Sequence, residues 1–423
     1  PPPPPPTIET IYAHSGGGRR PVASAGVVAE RGKGVYLHGS RGERLLDAVS
    51  GYGVASIGHS HPHWVEAVSS QARRLAHTPL HTAELAEYLS ALAGVLPSSM
   101  DGIALASTGA EAVEMALRLA QTERGRSEIL SFGGSFHGKT AAVRYTGNLD
   151  SAEAHSLGPS WLRTVPYPAC QEHDALDYPQ CREPDDGELT TIATRKDLND
   201  VAAVLVEPVL GTAGNIPPRR GFLAELRTLC NERDWLLICD ESITGFGRTG
   251  ELFAFEAFGA EPDILILSKG VGGGFPISVV CAPKALWDSS ALGAPSGTSS
   301  SYGGNPLACV AAKATLEIVT GLGFLENTRR TAEYAARRLR QLAEDCPRVA
   351  RPRGMGLMLG FDLIDPRSGA LATGGECEAV FRACRDRGAL VAATVPRVRL
   401  SPPLTLSEKE ADRLFDILGE AIG

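Results

Sequence analysis

One lysine stands out for its setting. The stretch Asp263 to Pro276 reads DILILSKGVGGGFP, a short apolar run that ends in Lys269 with a glycine-rich turn directly behind it. An amine at the end of a buried strand is desolvated, which lowers its pKa and frees its lone pair for imine formation. The glycines let backbone come close to a bulky ligand. A lone Lys-Gly pair would read as a surface turn; the strand before it and the glycines after it argue otherwise. They do not form a dinucleotide fingerprint, because Phe275 falls where the last glycine of that motif belongs. The chain has only seven lysines, so few other amines compete for the role.

Two further segments have the same strand-then-loop character. Trp235 to Gly250 reads WLLICDESITGFGRTG, an apolar strand ending in the carboxylates Asp240 and Glu241 before a glycine-rich loop. In an open α/β sheet, ligands bind beyond the carboxyl ends of the strands. An aspartate buried there can hold a ring nitrogen protonated, although a helix N-cap uses the same residue type. Ala106 to Ala112 reads ASTGAEA, a strand–turn–helix junction whose small residues would leave backbone amides open to a phosphate.

These segments need a scaffold that brings strand ends together. Extended runs fit Ile103 to Ala106, Glu128 to Phe132, Val201 to Val206, Trp235 to Cys239, Ile264 to Leu267 and Ile277 to Cys281, with helical patterns between several of them. Short continuously apolar strands alternating with helices predict a mostly parallel sheet covered on both faces. Ala25 to Val49 alternates short extended pieces with Gly-bearing turns and reads as a small antiparallel sheet. Two long helical patterns lie nearly back to back from Leu307 to Glu344, and strand–helix alternation returns from Leu357. The expected division is a tail and small sheet over 1–50 that belong with a small domain, a large α/β domain over 51–310, and a smaller α+β domain over 311–423. Ser151 to Asp197 is polar, carries little pattern and reads as an inserted loop; Pro1 to Pro6 reads as an extended tail.

Composition narrows the classes. The 423 residues are 43% hydrophobic and 21% charged, ordinary globular usage. A formal charge of −8 gives no basic surplus for nucleic acid. Apolar runs are strand-length and far short of a membrane span, and the N-terminus lacks a secretion pattern, so the expected compartment is the cytosol. Nine cysteines without a CxxC pair read as reduced thiols.

Taken together, the motifs resemble the class III (ω-) aminotransferases, which use pyridoxal 5′-phosphate (PLP) on a fold-type-I scaffold. The resemblance runs from about Gly51 to Leu404. Its anchors are GHSHP at Gly58 to Pro62, STGAEA at Ser107 to Ala112, FHGKT at Phe136 to Thr140, Val206-Glu207-Pro208, Asp240-Glu241 with TGFGRTG at Thr244 to Gly250, Lys269, YGGNP at Tyr302 to Pro306, and RLSPPL at Arg399 to Leu404. Any one could arise by chance; the ordered series does not.

The resemblance implies roles. Lys269 would carry the cofactor covalently and later shuttle a proton between the substrate Cα and the cofactor. Asp240 would pair with the pyridinium nitrogen. Phe136 would stack on the ring. Gly109 and Ala110 would donate amides to the phosphate, with the Thr108 hydroxyl beside them. Glu207 and Ile243 would lie on the phenolic side. Ser301, where the family usually has Thr, would reach the phosphate from the other subunit, which implies a homodimer. Arg399 would grip a substrate carboxylate with two parallel contacts, and Tyr52 would line the substrate pocket. His59, His61 and His63 are placed in a structural turn and not at a metal. His137 supports the cofactor's neighbours, and Arg248 holds its loop.

Two positions depart from the family pattern. Members acting on glutamate often carry a Glu five residues beyond the Val-Glu-Pro glutamate, masking the substrate arginine; here that position is Thr212. Many have Gln three residues after the pyridine aspartate, where this chain has Ile243, similar to members that pair amines with pyruvate. The expected reaction is ω-amino transfer from an amine or ω-amino acid to an oxo acid, aldehyde or ketone by a ping-pong cycle. Arginine-rich, lysine-poor usage points to a GC-rich coding sequence and extends that expectation to amination of a natural-product aldehyde. Racemases, aminomutases, decarboxylases and lyases share the scaffold and form the alternative.

Overall fold

The computed structural model describes residues 26–147, 158–169, 198–394 and 396–423, together with positions 176, 189, 192 and 195. The proline run and most of the polar stretch 151–197 lie outside the described residues.

A seven-stranded sheet forms the centre. Its strands are β4 (Gly102–Ala106), β5 (Glu128–Phe132), β6 (Leu162–Val165), β7 (Val201–Val206), β8 (Leu236–Asp240), β9 (Ile264–Leu267) and β10 (Ser278–Ala282), in the spatial order β4-β10-β9-β8-β7-β5-β6. β7 shows why both faces must be covered. Val201, Val204 and Val206 join one hydrophobic cluster, Ala202, Ala203 and Leu205 join another, and all six residues are buried. That is the signature of a sheet with helices on each side.

Two findings differ from the sequence reading. Leu162–Val165, inside the stretch read as a patternless loop, pairs with β5 as a parallel edge strand. Four residues of partly exposed strand give too little alternation to be seen. The sheet is also not uniformly parallel: β10 runs antiparallel to both β4 and β9. Two reversals restore direction, so β4 points the same way as β9, β8, β7 and β5. The C-terminal ends of all five converge on one edge, where the motifs sit.

α1 (Pro62–Arg74), α2 (Ala83–Ala93), α3 (Gly109–Arg124), α4 (Phe222–Arg233), α5 (Ala254–Phe258) and α6 (Lys284–Ser289) surround the sheet. α3 follows β4 after a turn capped by Thr108, whose hydroxyl accepts from the Glu111 amide at 3.2 Å, while Glu111 returns a contact to the Ser107 amide at 2.9 Å. This side-chain cap fixes where the helix starts. α7 (Pro306–Val319) and α8 (Phe324–Asp345) are the long helical pair.

The remaining elements build two small sheets. β1 (Ala29–Lys33), β2 (Tyr36–Gly39) and β3 (Arg44–Asp47) are antiparallel, and β13 (Ala389–Leu390) joins β3 in parallel. β11 (Val349–Met355), β12 (Met358–Leu363), β15 (Arg397–Leu400) and β14 (Ala392–Thr394) form the other, in that order. α9 (Gly374–Asp386) and α10 (Glu408–Ile422) complete this part. Leu359, Phe361, Leu363, Val398 and Leu400 face a separate apolar core shared with α8, α9 and α10. The opposite face of that sheet is polar and turns toward the large sheet.

Candidate active site

Lys269 follows β9 by two residues and opens a short turn, Lys269–Gly272, with a left-handed φ of 42°. A side chain with Cβ seldom adopts this conformation, and such outliers collect at functional sites. Its amine is enclosed, and burial lowers its pKa against the opposing pull of Asp240 and Glu207. The free base is therefore more accessible than for a surface lysine.

Asp240 ends β8, next to β9, and is 3% exposed. His137 Nδ1 lies 2.7 Å from its Oδ2, and the Ser242 amide donates to Oδ1 at 3.0 Å. Burial opposes the charge on Asp240, but these partners and Lys269 outweigh it and hold the carboxyl below its ordinary range. An ionised carboxylate thus sits within an apolar sheet. Glu207, just after β7, accepts from the Phe136 amide at 2.7 Å and the Gly211 amide at 2.9 Å. Here burial dominates and pushes the pKa up. The two carboxyls are thus shifted in opposite directions, Asp240 down by its partners and Glu207 up by burial.

The phosphate-type cradle is at the start of α3. Among the described residues, no acceptor pairs with the Gly109 and Ala110 amides. A Cβ on Gly109 would stand 3.2 Å from Ser268 Oγ and 3.5 Å from Ser242 Oγ. The helix end therefore abuts the residues that flank Lys269 and Asp240, with open amides and two hydroxyls together. Sequence reasoning missed Ser242 and Ser268; only the packing of α3 against β8 and β9 gives them meaning. Phe136 leaves Gly133–Gly134 after β5 and is 37% exposed, beside its buried neighbour His137. Gly138 lets this turn press onto α3, where a Cβ would come within 2.7 Å of Ala110 Cβ.

Arg399 approaches from β15. Its Nη1 donates to the Gly211 carbonyl at 3.2 Å, its guanidinium stands 5.6 Å from the Tyr52 ring centre, and its buried Nε finds no partner among the described residues. Burial lowers its pKa, and the opposing pull of Tyr52 and Glu207 only partly offsets that. Tyr52 has a φ of 63° and follows left-handed Ser50 and Gly51, so a strained turn aims it here. Tyr52, Ile243, Asn215, Ser401 and Arg399 line one small pocket. Ser301 stands apart on an exposed loop before α7.

The three alternating histidines separate. His59 Nε2 meets Asp47 at 2.9 Å, His61 precedes α1, and His63 Nε2 meets Glu317 at 2.7 Å. Arg248 is buried and donates to the Leu357 carbonyl at 3.0 Å and the Pro402 carbonyl at 2.5 Å, tying its loop to the small sheet.

The chain matches the family model described as Aminotransferase class-III over residues 19–422. It belongs to the class III aminotransferases. Acetylornithine aminotransferase of Methanothermobacter thermautotrophicus is 36% identical over 400 residues, covering 94% of each chain. The protein of the same name from Gloeobacter violaceus is 37% identical over 410 residues, covering 93% of this chain and 92% of the relative. Among solved structures, an amine transaminase from an uncultivated Pseudomonas species, in its PLP-bound form, superposes with a TM-score of 0.85 at 27% identity, covering 97% of both chains. An acetylornithine aminotransferase from Elizabethkingia anophelis gives 0.81 at 28% identity, covering 98% and 99%. The fold is therefore fold type I and the cofactor is PLP. The described residues fit this cofactor: the open helix amides would suit its phosphate, the charged buried carboxylate its ring nitrogen, and the enclosed amine its aldehyde.

Proposed function

We propose that this aminotransferase moves the terminal amino group of an amine or ω-amino acid to an oxo acid, aldehyde or ketone, with the donor product leaving before the acceptor binds. Bound PLP supplies an aldehyde that captures the amine and a ring that takes up an electron pair. Lys269 would move the proton at the reacting substrate carbon; its depressed basicity suits both directions of that transfer. Asp240, supported by His137, would keep the ring nitrogen protonated. The Gly109 and Ala110 amides with Thr108 would anchor the phosphate, Phe136 would cover the ring, and Glu207 and Ile243 would border its phenolic side. Ser301 of the partner subunit would complete the phosphate site in a homodimer.

The observation that carries the donor class is Arg399: an enclosed guanidinium with an unpaired Nε among the described residues, in a pocket walled by Tyr52 and Ile243. Thr212 at the masking position leaves it available to a carboxylate. A carboxylate there, with the reacting amine at Lys269, defines an ω-amino acid; a neutral amine would leave the arginine for the acceptor's carboxylate. The names of the curated relatives make N-acetylornithine the first donor to assay against a panel of oxo acids, and the Ile243 pocket makes neutral amines with pyruvate the second. Natural-product aldehydes extend the acceptor panel. Such a matrix should show one oxo or aldehyde group consumed per donor. Donor conversion with no acceptor consumed would assign a racemase, mutase or lyase instead.

A further inference from the structure

The polar face of the small sheet carries more cation than the reaction requires. Register places Gly360 opposite Arg399, Asp362 opposite Arg397, and Gly360 opposite Arg353. All of these share one face, because side chains alternate along a strand. Arg353 is buried and spends its donors inside the fold: on the Gly214 carbonyl at 2.9 Å, the Arg351 carbonyl at 2.9 Å and Asp362 Oδ1 at 2.8 Å. That bond occupies Oδ1 of Asp362. Arg351 meets Oδ2 at 3.0 Å, and Arg397 Nε lies 3.9 Å from the already occupied Oδ1.

Three guanidiniums therefore share one carboxylate. Every ion pair of Arg351, Arg353 and Arg397 among the described residues runs to Asp362. Arg351 and Arg397 are 50% and 41% exposed, so the surplus charge faces solvent. A second observation points the same way. Arg351 sits in a β-bulge between Ala350 and Arg353, with a φ of 50°, a conformation disfavoured for a residue with Cβ. The bulge re-aims Arg351 toward a carboxylate that already has a buried partner.

The ledge adjoins the substrate arginine. Arg399 and Arg397 are two residues apart on β15, about 7 Å along the strand. Both touch the turn 211–214: Arg399 donates to the Gly211 carbonyl, and a Cβ on Gly214 would stand 2.6 Å from Arg397 Cδ.

We propose that Arg351 and Arg397 form a second anion subsite beside Arg399, selecting donors whose far end carries two carboxylates. One carboxylate meets Arg399 and the other meets the ledge, while the amine end reaches Lys269. This rests on the reading of Lys269 and Arg399 given above.

The test uses holoenzyme and two amines that differ by one carboxylate: 5-aminopentanoate and (3-aminopropyl)malonate. The readout is the rate at which each donor alone bleaches the cofactor's visible band, so no acceptor need be chosen. Wild type should react faster with the malonate by about fivefold, as expected for one added exposed ion contact of about 1 kcal/mol. The preference should collapse in R351Q/R397Q and shrink as salt is raised toward about 0.5 M. The salt titration needs no variant, so misfolding of the double mutant does not rescue the idea. Equal or reversed preference in wild type, or a preference that survives both the substitutions and the salt, overturns the ledge. A visible band that neither amine bleaches overturns the donor class, and the ledge with it; loss of the band in K269A shows that the cofactor site is read correctly in either case.

Discussion

The Nδ1 of His137 lies 2.7 Å from Oδ2 of Asp240, and neither side chain meets solvent. A carboxylate at the end of an apolar strand would ordinarily pick up a proton. This contact, with the Ser242 amide on the other oxygen, keeps it charged. His137 Nε2 has no partner among the described residues, so the ring is committed through one nitrogen only.

Replacing His137 with Ala should therefore act through Asp240. Loss of one charge-assisted hydrogen bond is worth about 1.5–3 kcal/mol, so kcat should fall roughly 10- to 100-fold. The pH at which the cofactor's visible spectrum changes should move as well, because Asp240 becomes harder to ionise. A fall in kcat with an unmoved spectral midpoint would mean that His137 only packs.

Lys269→Ala should abolish both turnover and the covalent cofactor's visible absorbance. The wild-type amine carries a sharper expectation. Burial holds its pKa below 10.5, and the neutral amine is the reactive form, so recapture of PLP by cofactor-free protein should accelerate with rising pH and level off below 10.5. Stopped-flow absorbance across pH 6 to 11 reads this directly. A rate still climbing at the top of that range would contradict an enclosed lysine.

Gly109→Val should fill the cradle, since even a Cβ would press toward Ser268 Oγ at 3.2 Å. PLP affinity, measured by equilibrium dialysis, should weaken by about tenfold or more, the scale of one lost anion contact at a helix end plus crowding. The melting temperature of the cofactor-free protein should change little. Unaltered affinity would move the phosphate elsewhere.

Arg248→Met should cost stability. Its Nη1 holds two buried carbonyls, and burial pulls its pKa down to about 9 against the pull of Asp47. Methionine fills much of the volume but strands both carbonyls, a loss of about 2–4 kcal/mol in urea unfolding. A loss within 0.5 kcal/mol would show that water replaces the arginine at no cost.

Much of this was legible in the sequence because its signals are local. The strands Glu128 to Phe132 and Val201 to Val206 were read with their bounds intact, since a continuously apolar run between turns has few other readings. Lys269 announced itself through the strand before it and the glycines after it. What escaped depends on pairing between distant segments. The reversed direction of β10 is invisible in its own five residues, and β6 is too short to show a period. Ser242 and Ser268 are ordinary serines until α3 is packed against them. Arg351 looks like any surface arginine until its bulge is known. His137 was read as a supporting residue, but its commitment to Asp240 at 103 residues' separation needed coordinates.

Arg248 also sets a dimension. The carbonyls it grips belong to Leu357 and Pro402, and Pro402 stands three residues beyond Arg399, while Arg248 itself leaves the strand that ends in Asp240. One buried cation thereby links the loop after Asp240 to the segment that carries Arg399. On the proposed roles of Lys269 and Arg399, the gap between amine and guanidinium would act as a caliper for donor length.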